Sequence, residues 1–265
     1  MPERPPGWDD LGAPDRLALT PFTDVRWFEE LDSTNRWLLD AAREGAAEGL
    51  VVVADVQTEG RGRRGRHWVT TPGTSLLCSV LFRPADAAAS TRAGIAVGLA
   101  AIDAVATAAG PRLGLKWPND LVARDGHLAD RKVAGVLGEA LLHGDTADAV
   151  VVGVGVNVAK RSVPPNLVDQ ATSVEAVAGH PVDRVAILVE LLAALDHWWR
   201  APGPELHAAH RDRCVTLGRT VRVERPHDVV VGEAVDVLDD GRLRVLVDGA
   251  PVDVAAGDVV HLRPA

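Results

Sequence analysis

The stretch Val150 to Val158, VVVGVGVNV, constrains this chain more than any other. Side chains along a strand alternate between faces. Val150, Val152, Val154, Val156 and Val158 therefore share one face, and Gly153, Gly155 and Asn157 share the other. The valine face demands an apolar layer against it. The opposite face is bare except for one amide at its end, so either a helix packs closely there or a ligand lies across it. The chain must build a sheet around this strand.

The other elements read in the same terms. Val51–Val53 and Ser75–Phe82 are apolar runs bounded by turn residues and predict buried strands. Ala93–Ala109 predicts a helix, with Leu99, Ile102 and Val105 at helical spacing and a Gly110-Pro111 stop. Nothing in Ser75–Phe82 or in that helix suggests chemistry, and both are assigned to the core. Asp183–Arg200 predicts an amphipathic helix whose stripe is Val185, Leu188, Leu192, Leu195 and Trp199, with Trp198 also in the core. From Gly218 the texture changes to short valine-rich runs separated by turns, with hairpin signals at Asp240-Gly241 and Asp248-Gly249. The expected organisation is a flexible acidic, proline-rich leader over 1–15, a larger domain over 16–217 and a small all-β domain over 218–265. No apolar run approaches the length of a membrane span, and the N-terminus lacks the basic and apolar regions of a signal peptide. Cys78 and Cys214 have no metal spacing and read as buried thiols of a cytoplasmic protein.

The candidate chemistry starts at Asp55–Trp68, DVQTEGRGRRGRHW. Arg61, Arg63, Arg64 and Arg66 alternate with Gly60, Gly62 and Gly65, and no acid follows Glu59 within the stretch. Glycines let the backbone come close to a ligand, and arginines supply permanent charge and forked donors that fit carboxylate or phosphate. Three readings compete: a solvated charged loop, an arginine-glycine segment for nucleic acid, and a loop that wraps a small anion. A GxxxxGK[ST] phosphate loop is excluded, since no Lys-Ser or Lys-Thr follows the last glycine. GRGRRG has dinucleotide-fingerprint spacing, but Arg66-His67-Trp68 does not open an apolar helix, so that reading fits poorly. The net charge is −9, and the body outside the loop is more acidic still, which makes the chain a poor general partner for nucleic acid.

Lysine is scarce. Lys116, Lys132 and Lys160 are the only three, and the other basic side chains are arginine or histidine. A retained lysine hints at a place that needs a compact ammonium. Lys116 belongs to Lys116-Trp117-Pro118-Asn119-Asp120, a strand end and turn; it is either a surface lysine or part of a phosphate and magnesium site. Lys132 opens the strand KVAGVLGE, with Gly135 leaving room nearby, and is either solvated or functional. Asp32-Ser33-Thr34-Asn35 precedes a helical pattern, where it caps the helix, faces a polar ligand, or does both. His207, His210 and Asp212 are closely spaced, but no further ligand is in sight to complete a metal site.

The ordered set DSTN at 32–35, QTEGRGRRGRHW at 57–68, KWPND at 116–120, KVAGVLGE at 132–139 and GVGVNV at 153–158 resembles bacterial biotin–protein ligases. The resemblance runs from about residue 25 to the C-terminus. It implies an α+β catalytic domain related to class II aminoacyl-tRNA synthetases, a mixed sheet flanked by helices, followed by an SH3-like β-barrel. It implies the class without a DNA-binding winged helix. The nearest rival on the same fold is a lipoate–protein ligase; a non-enzymatic RNA binder is the rival from another class. The implied reaction joins biotin to ATP through biotinyl-5′-adenylate, with Mg2+, and passes the biotinyl group to a lysine of a biotin carboxyl carrier domain. No DNA or membrane partner is implied, and the state expected is a monomer or weak homodimer.

By this resemblance Ser33, Thr34, Asn35 and Gln57 bind the biotin ureido and its neighbours, within a set that also takes in Gly60, Arg61, Gly62, Arg63, Lys132 and Gly135. Arg63, Arg66, Trp68, Lys116, Asn119, Asp120 and Asn157 belong to the ATP side. Lys132, Arg63, Lys116 and Asp120 are the expected catalytic groups, with Asp120 the only candidate for a metal contact. Glu59 departs from the small residue usual in the family and adds a negative charge beside the anion loop.

Overall fold

The structure is a computed structural model and describes residues 7–84, 87–143, 146–225 and 227–262. In chain order it runs α1 (Ala13–Leu17), β1 (Val25–Leu31), α2 (Thr34–Arg43), β2 (Val51–Gln57), β3 (Ser75–Phe82), α3 (Ala87–Ala109), β4 (Leu113–Lys116), β5 (Asp120–Ala123), β6 (Lys132–His143) and β7 (Thr146–Asn157). It continues through α4 (Val174–Ala178), α5 (Arg184–Arg200), α6 (Gly203–Arg213), β8 (Thr220–Glu224), β9 (Val229–Val237), β10 (Leu243–Val247), β11 (Ala250–Val254) and β12 (Asp258–His261).

Seven strands form one sheet in the order β1-β2-β3-β7-β6-β5-β4. Only β1 and β2 run parallel, and the other neighbours are antiparallel, so the sheet is mixed. β7 sits at its centre between β3 and β6. The alternation read from VVVGVGVNV holds: Val150, Val152, Val154, Val156 and Val158 all join the main core under α3 and α5. Val151 points the other way, with Val52 and Leu81, onto α2. The sheet is thus helix-covered on one face. On the other face α2 covers one end as far as Gly153 and leaves the Gly155–Asn157 end to the cavity.

Two expectations change. The described part of the flexible leader is not free, because Trp8 and Ala13 are buried in the main core; residues 1–6 lie outside the described residues. By length and composition, Thr91–Ala109 of α3 also meets the requirement for a membrane span. Its Ala93, Ala96, Val97, Leu99 and Ala100 are fully buried against the sheet and α5, which makes it the core helix of this fold.

The last five strands form a second, antiparallel sheet in the order β11-β10-β9-β8-β12. Asp248 and Gly249 both take positive φ, as a two-residue hairpin turn requires. Trp117 fastens this module to the large sheet. Its ring is buried among Val221, Val223, Val245 and Val254, and its Nε1 donates to the Gly241 carbonyl at 2.9 Å. The tryptophan of KWPND is therefore a joint between domains.

His210 and His261 lie near that joint. Burial, reinforced by His207, pushes His210 down to about 4 from the ordinary 6.5. Burial together with Lys116 and Arg219 pushes His261 down to about 4, against an opposing pull from Asp130. Between pH 6.5 and 4 the unfolded chain binds protons that the folded one refuses, so stability falls as pH drops through that window. Melting temperature is expected to be level above about pH 6.5 and to decline below it, with His210→Gln/His261→Gln flattening the decline. An equally steep decline in the double variant would show that other groups drive it.

Candidate active site

The open end of the sheet holds a cavity of about 200 Å³. One wall starts where β1 and β2 end side by side, with Leu31 paired to Gln57. The next turn leads into α2, and Ser33 is its N-cap, its side chain accepting from Arg36 N. Thr34 N donates to Gln57 Oε1 at 2.9 Å. Asn35 Nδ2 donates to Glu139 Oε2 at 2.8 Å and to the Leu137 carbonyl at 3.2 Å. Its Oδ1 accepts from Ser79 Oγ at 2.6 Å, and Ser79 lies 2.6 Å from Thr34 Oγ1. Ser33, Thr34 and Asn35 are all buried, so capping and cavity lining are done by the same residues.

The arginine loop forms the second wall. It closes on itself as a small hairpin: Gly62 N donates to Arg66 O at 2.7 Å and Trp68 N to Gly60 O at 2.9 Å. Arg64 and Gly65 both take positive φ at its tip. At Gly60 a Cβ would stand 2.5 Å from the Trp68 carbonyl, so only glycine permits the closure. Arg61, Gly62, Arg63 and Arg66 line the cavity. Arg61 Nη1 bonds Glu139 Oε1 at 2.8 Å, and Arg63 Nη1 bonds Asn119 Oδ1 at 3.3 Å. Burial pulls the Arg63 guanidinium below its ordinary value, while Asp258 and Asp120 push back. Arg64 does not line the cavity; it joins Arg66 on Asp258 of β12, at 3.0 Å and 2.5 Å, and ties the loop to the barrel.

Lys132, Asp120, Asn119 and Gly135 make the third wall, from β5, β6 and the turn before them. Lys132 Nζ lies 2.6 Å from Asp120 Oδ1 and 5.3 Å from the Trp68 ring centroid. Gly135 makes room for both, since a Cβ there would stand 3.0 Å from Lys132 Nζ and 3.2 Å from the Trp68 ring. Asn119 Nδ2 donates to the Val136 carbonyl at 2.8 Å, which aims Oδ1 at Arg63. Asn157, buried at the end of β7, lines the same cavity and donates to the Thr172 carbonyl at 3.1 Å.

Of the predicted site residues, all line this one cavity except Gly60 and Lys116. Gly60 shapes the loop from behind. Lys116 stands just outside the lining, paired across the β4–β5 ladder with Asp120, which does line it. It ends β4, the edge strand, and its charge acts on His261 and Asp130. The glycine face of β7, expected to leave room for a helix or a ligand, admits both: the first turn of α2 packs on Gly153, and Gly153 and Gly155 line the cavity. Side chains of this chain fill it in part: a Cβ at Gly153 would meet Asn35 Oδ1 at 2.3 Å, and one at Gly155 the Trp68 indole at 2.7 Å. Glu59, expected to add charge beside the loop, pairs with Arg36 of α2 at 2.7 Å.

Sequence reasoning missed four contributions. Ser79 and Cys78 come from a strand assigned wholly to the core, and Ser79 was detectable as the polar residue in register with Gly153. Glu139 closes the KVAGVLGE motif, yet carried no expected role. Val163, Pro164, Leu167 and Ala171 form a far wall without any motif, held by Lys132 N to Gln170 O at 2.9 Å and Thr172 N to Lys132 O at 2.8 Å.

The cavity brings clustered cations together with a buried hydrogen-bonding set, an arrangement suited to holding an anionic group on a polar ligand. Residues 27–157 match the biotin/lipoate A/B protein ligase family, and residues 216–262 match the biotin protein ligase C-terminal domain. The chain is 42% identical over 241 residues to the biotin–[acetyl-CoA-carboxylase] ligase of Mycobacterium tuberculosis, covering 87% of this chain and 86% of that one. It is 38% identical over 172 residues to the enzyme of that name from Paracoccus denitrificans, covering 63% of this chain and 69% of that one. Among solved structures, biotin protein ligase from Aquifex aeolicus in complex with biotin and ATP superposes with a TM-score of 0.76 at 26% identity, over 92% of this chain and 100% of that one. The chain belongs to the biotin protein ligases, and it is an enzyme.

Gly155→Ala is expected to push the Trp68 indole off β7 without unfolding the sheet. The expected signature is altered tryptophan fluorescence and near-UV dichroism with an unchanged far-UV spectrum. Unchanged near-UV signals would show that Trp68 does not rest on that glycine.

Proposed function

We propose that this cavity condenses biotin with ATP and then delivers the biotinyl group to a lysine of a biotin carboxyl carrier domain. The carrying observation is that Arg61, Arg63, Arg66 and Lys132 line one cavity together with the hydrogen-bonded set Thr34, Asn35 and Gln57. A biotin carboxylate oxygen attacks the α-phosphorus of ATP, the bond to the β-phosphate oxygen breaks, and pyrophosphate leaves. The acceptor lysine amine, having lost its proton, then attacks the acyl carbon and AMP departs. Both reactants of the first step are anions. Fixed cations in a site closed from water cancel their repulsion, each well-placed group typically contributing a few kcal/mol.

Lys132 is proposed to bridge the biotin carboxylate and the α-phosphate from its perch over Trp68. Arg63 lies beside both from the loop side, and Arg66, Trp68, Asn119 and Asn157 border the nucleotide. Ser33, Thr34, Asn35 and Gln57 take the ureido end, which offers one acceptor and two donors. A lipoyl dithiolane has no such groups, and that favours biotin over lipoate. The mixed anhydride is prone to hydrolysis, so a loop closed over it limits loss to water.

Magnesium would come with the nucleotide. Among the described residues no group of three or more His, Cys, Asp or Glu could hold a metal ion, and Asp120 is the single carboxylate lining the cavity. That set fits an ion held mainly by phosphate oxygens and water, with Asp120 as one neighbour. When bound, it supplies further positive charge to the phosphates. Lys116, on β4 opposite Asp120, is proposed to reach the nucleotide phosphates from the rim of the cavity.

Pyrophosphate release measured with biotin and with lipoate tests the substrate; turnover with lipoate alone would overturn this reading. Lys132→Ala is expected to slow adenylate formation by about a hundredfold or more while the fold persists. Arg63→Gly is expected to speed release of the adenylate in a chase, and unchanged retention would remove the loop from that role.

A further inference from the structure

The structure assigns to Glu139 the part of a positioning residue that couples the arginine loop to the ureido pocket. The assignment rests on the biotin reading of the cavity. Glu139 is on β6, and its side chain is about a quarter exposed, at 26%. Its carboxylate is divided between two partners from different elements. Oε1 accepts from Arg61 Nη1 at 2.8 Å, at the start of the loop hairpin. Oε2 accepts from Asn35 Nδ2 at 2.8 Å, in the first turn of α2.

Two donors approaching from two sides need two acceptors on one side chain. An ionised carboxylate has two acceptor oxygens and no proton; a carboxamide has one acceptor and one donor group. Glutamine at 139 would serve Asn35 or Arg61, and would turn an NH2 group on whichever it failed. The charge also matters at the loop, because Arg61 sits in a run of four arginines with no acid among them.

The Asn35 end passes the constraint on. With Nδ2 bound to Glu139 and to the Leu137 carbonyl, Oδ1 must face Ser79. Asn35 Oδ1 can only accept, so Ser79 gives it its single proton. With that proton spent, the 2.6 Å contact between Ser79 and Thr34 requires Thr34 Oγ1 to donate to Ser79 rather than to Gln57 Oε1, which lies farther off at 3.1 Å, and the Thr34 lone pairs are left to accept a ligand N–H. Gln57 Oε1 is taken by Thr34 N at 2.9 Å, which frees the Gln57 NH2 to donate to a ligand carbonyl. One acceptor and one donor beside each other match an N–H and the C=O of a cyclic urea. Glu139 thus stands at the origin of the pocket's polarity and at the anchor of the loop.

The test uses the full chain. Biotin binding without ATP is measured by calorimetry for wild type, Glu139→Gln and Glu139→Asp, with ATP affinity as control. Tryptic cleavage at the loop arginines is followed with and without biotin. Glu139→Gln is expected to weaken biotin about tenfold, the lower end for a charged hydrogen bond that is partly exposed, and to leave ATP affinity within about twofold. Biotin is expected to slow loop cleavage in wild type and to lose that effect in Glu139→Gln, while Glu139→Asp, which keeps both oxygens, recovers part of it. A shape-only role would not separate Asp from Gln in this order.

Arg61→Met opens the other end of the same link, and it decides the matter if Glu139→Gln melts below the assay temperature. It should likewise abolish the biotin-dependent protection. Unchanged biotin affinity and protection in a folded Glu139→Gln, or unchanged protection in Arg61→Met, overturns the coupling. Wild type that binds no biotin would instead overturn the reading of the cavity on which the coupling rests.

Discussion

Like charges have to be held together here before any substrate arrives. Arg61, Arg63, Arg66 and Lys132 line one cavity of about 200 Å³. A pair of unit charges 4 Å apart interacts with about 1 kcal/mol in water and roughly 4 kcal/mol near a protein surface, so an uncompensated cluster would force the loop open. The chain compensates from three separate elements. Asp120 of β5 takes Lys132, Glu139 of β6 takes Arg61, and Asp258 of β12 takes Arg66 together with Arg64. Among the described residues, the Arg63 guanidinium has the neutral Asn119 amide as its hydrogen-bond partner and no ion pair. That leaves it the cation with most to gain from an incoming anion, and burial, which pulls its guanidinium down, points the same way.

This arrangement gives the small barrel a share in the site. Its strand β12 contributes Asp258, where burial pushes the carboxyl up but Arg66 and Arg64 together draw it below its ordinary range. The barrel can hold the loop only if it is itself fixed relative to the sheet, and Trp117 does that through its buried ring and its bond to Gly241. KWPND is thus a composite: Trp117 faces the barrel, whereas Asn119 and Asp120 face the cavity. One short turn sets both distances.

Much of this was legible in the sequence. The period of two in VVVGVGVNV located the core face and the site face of the central strand because a valine and a glycine differ in the one property a sheet sorts by, side-chain volume. The clustered arginines were legible because no acid separates them. Lysine scarcity pointed equally at Lys116 and Lys132, and only one lines the cavity. The two lie on strands two apart in the sheet, β4 and β6, and strand order is a tertiary fact that composition does not carry. Glu139 and Ser79 were hidden for the same reason. Their partners Arg61, Asn35 and Thr34 lie far away in sequence and become neighbours only when β3, β6 and α2 come together.

The glycines of β7 show why the two kinds of information must be combined. Composition alone allowed a ligand or a helix against that face. In the fold, Gly153 receives the Asn35 amide and Gly155 the Trp68 indole, each closer than a methyl group would allow. The missing side chains therefore set the depth at which the hydrogen-bonding group and the aromatic platform sit, and with it the position of Lys132 over that platform. A residue type selected for absence fixes the geometry of the residues that act, which is why Gly155 and Lys132, on neighbouring strands and without direct chemistry between them, belong to one mechanism.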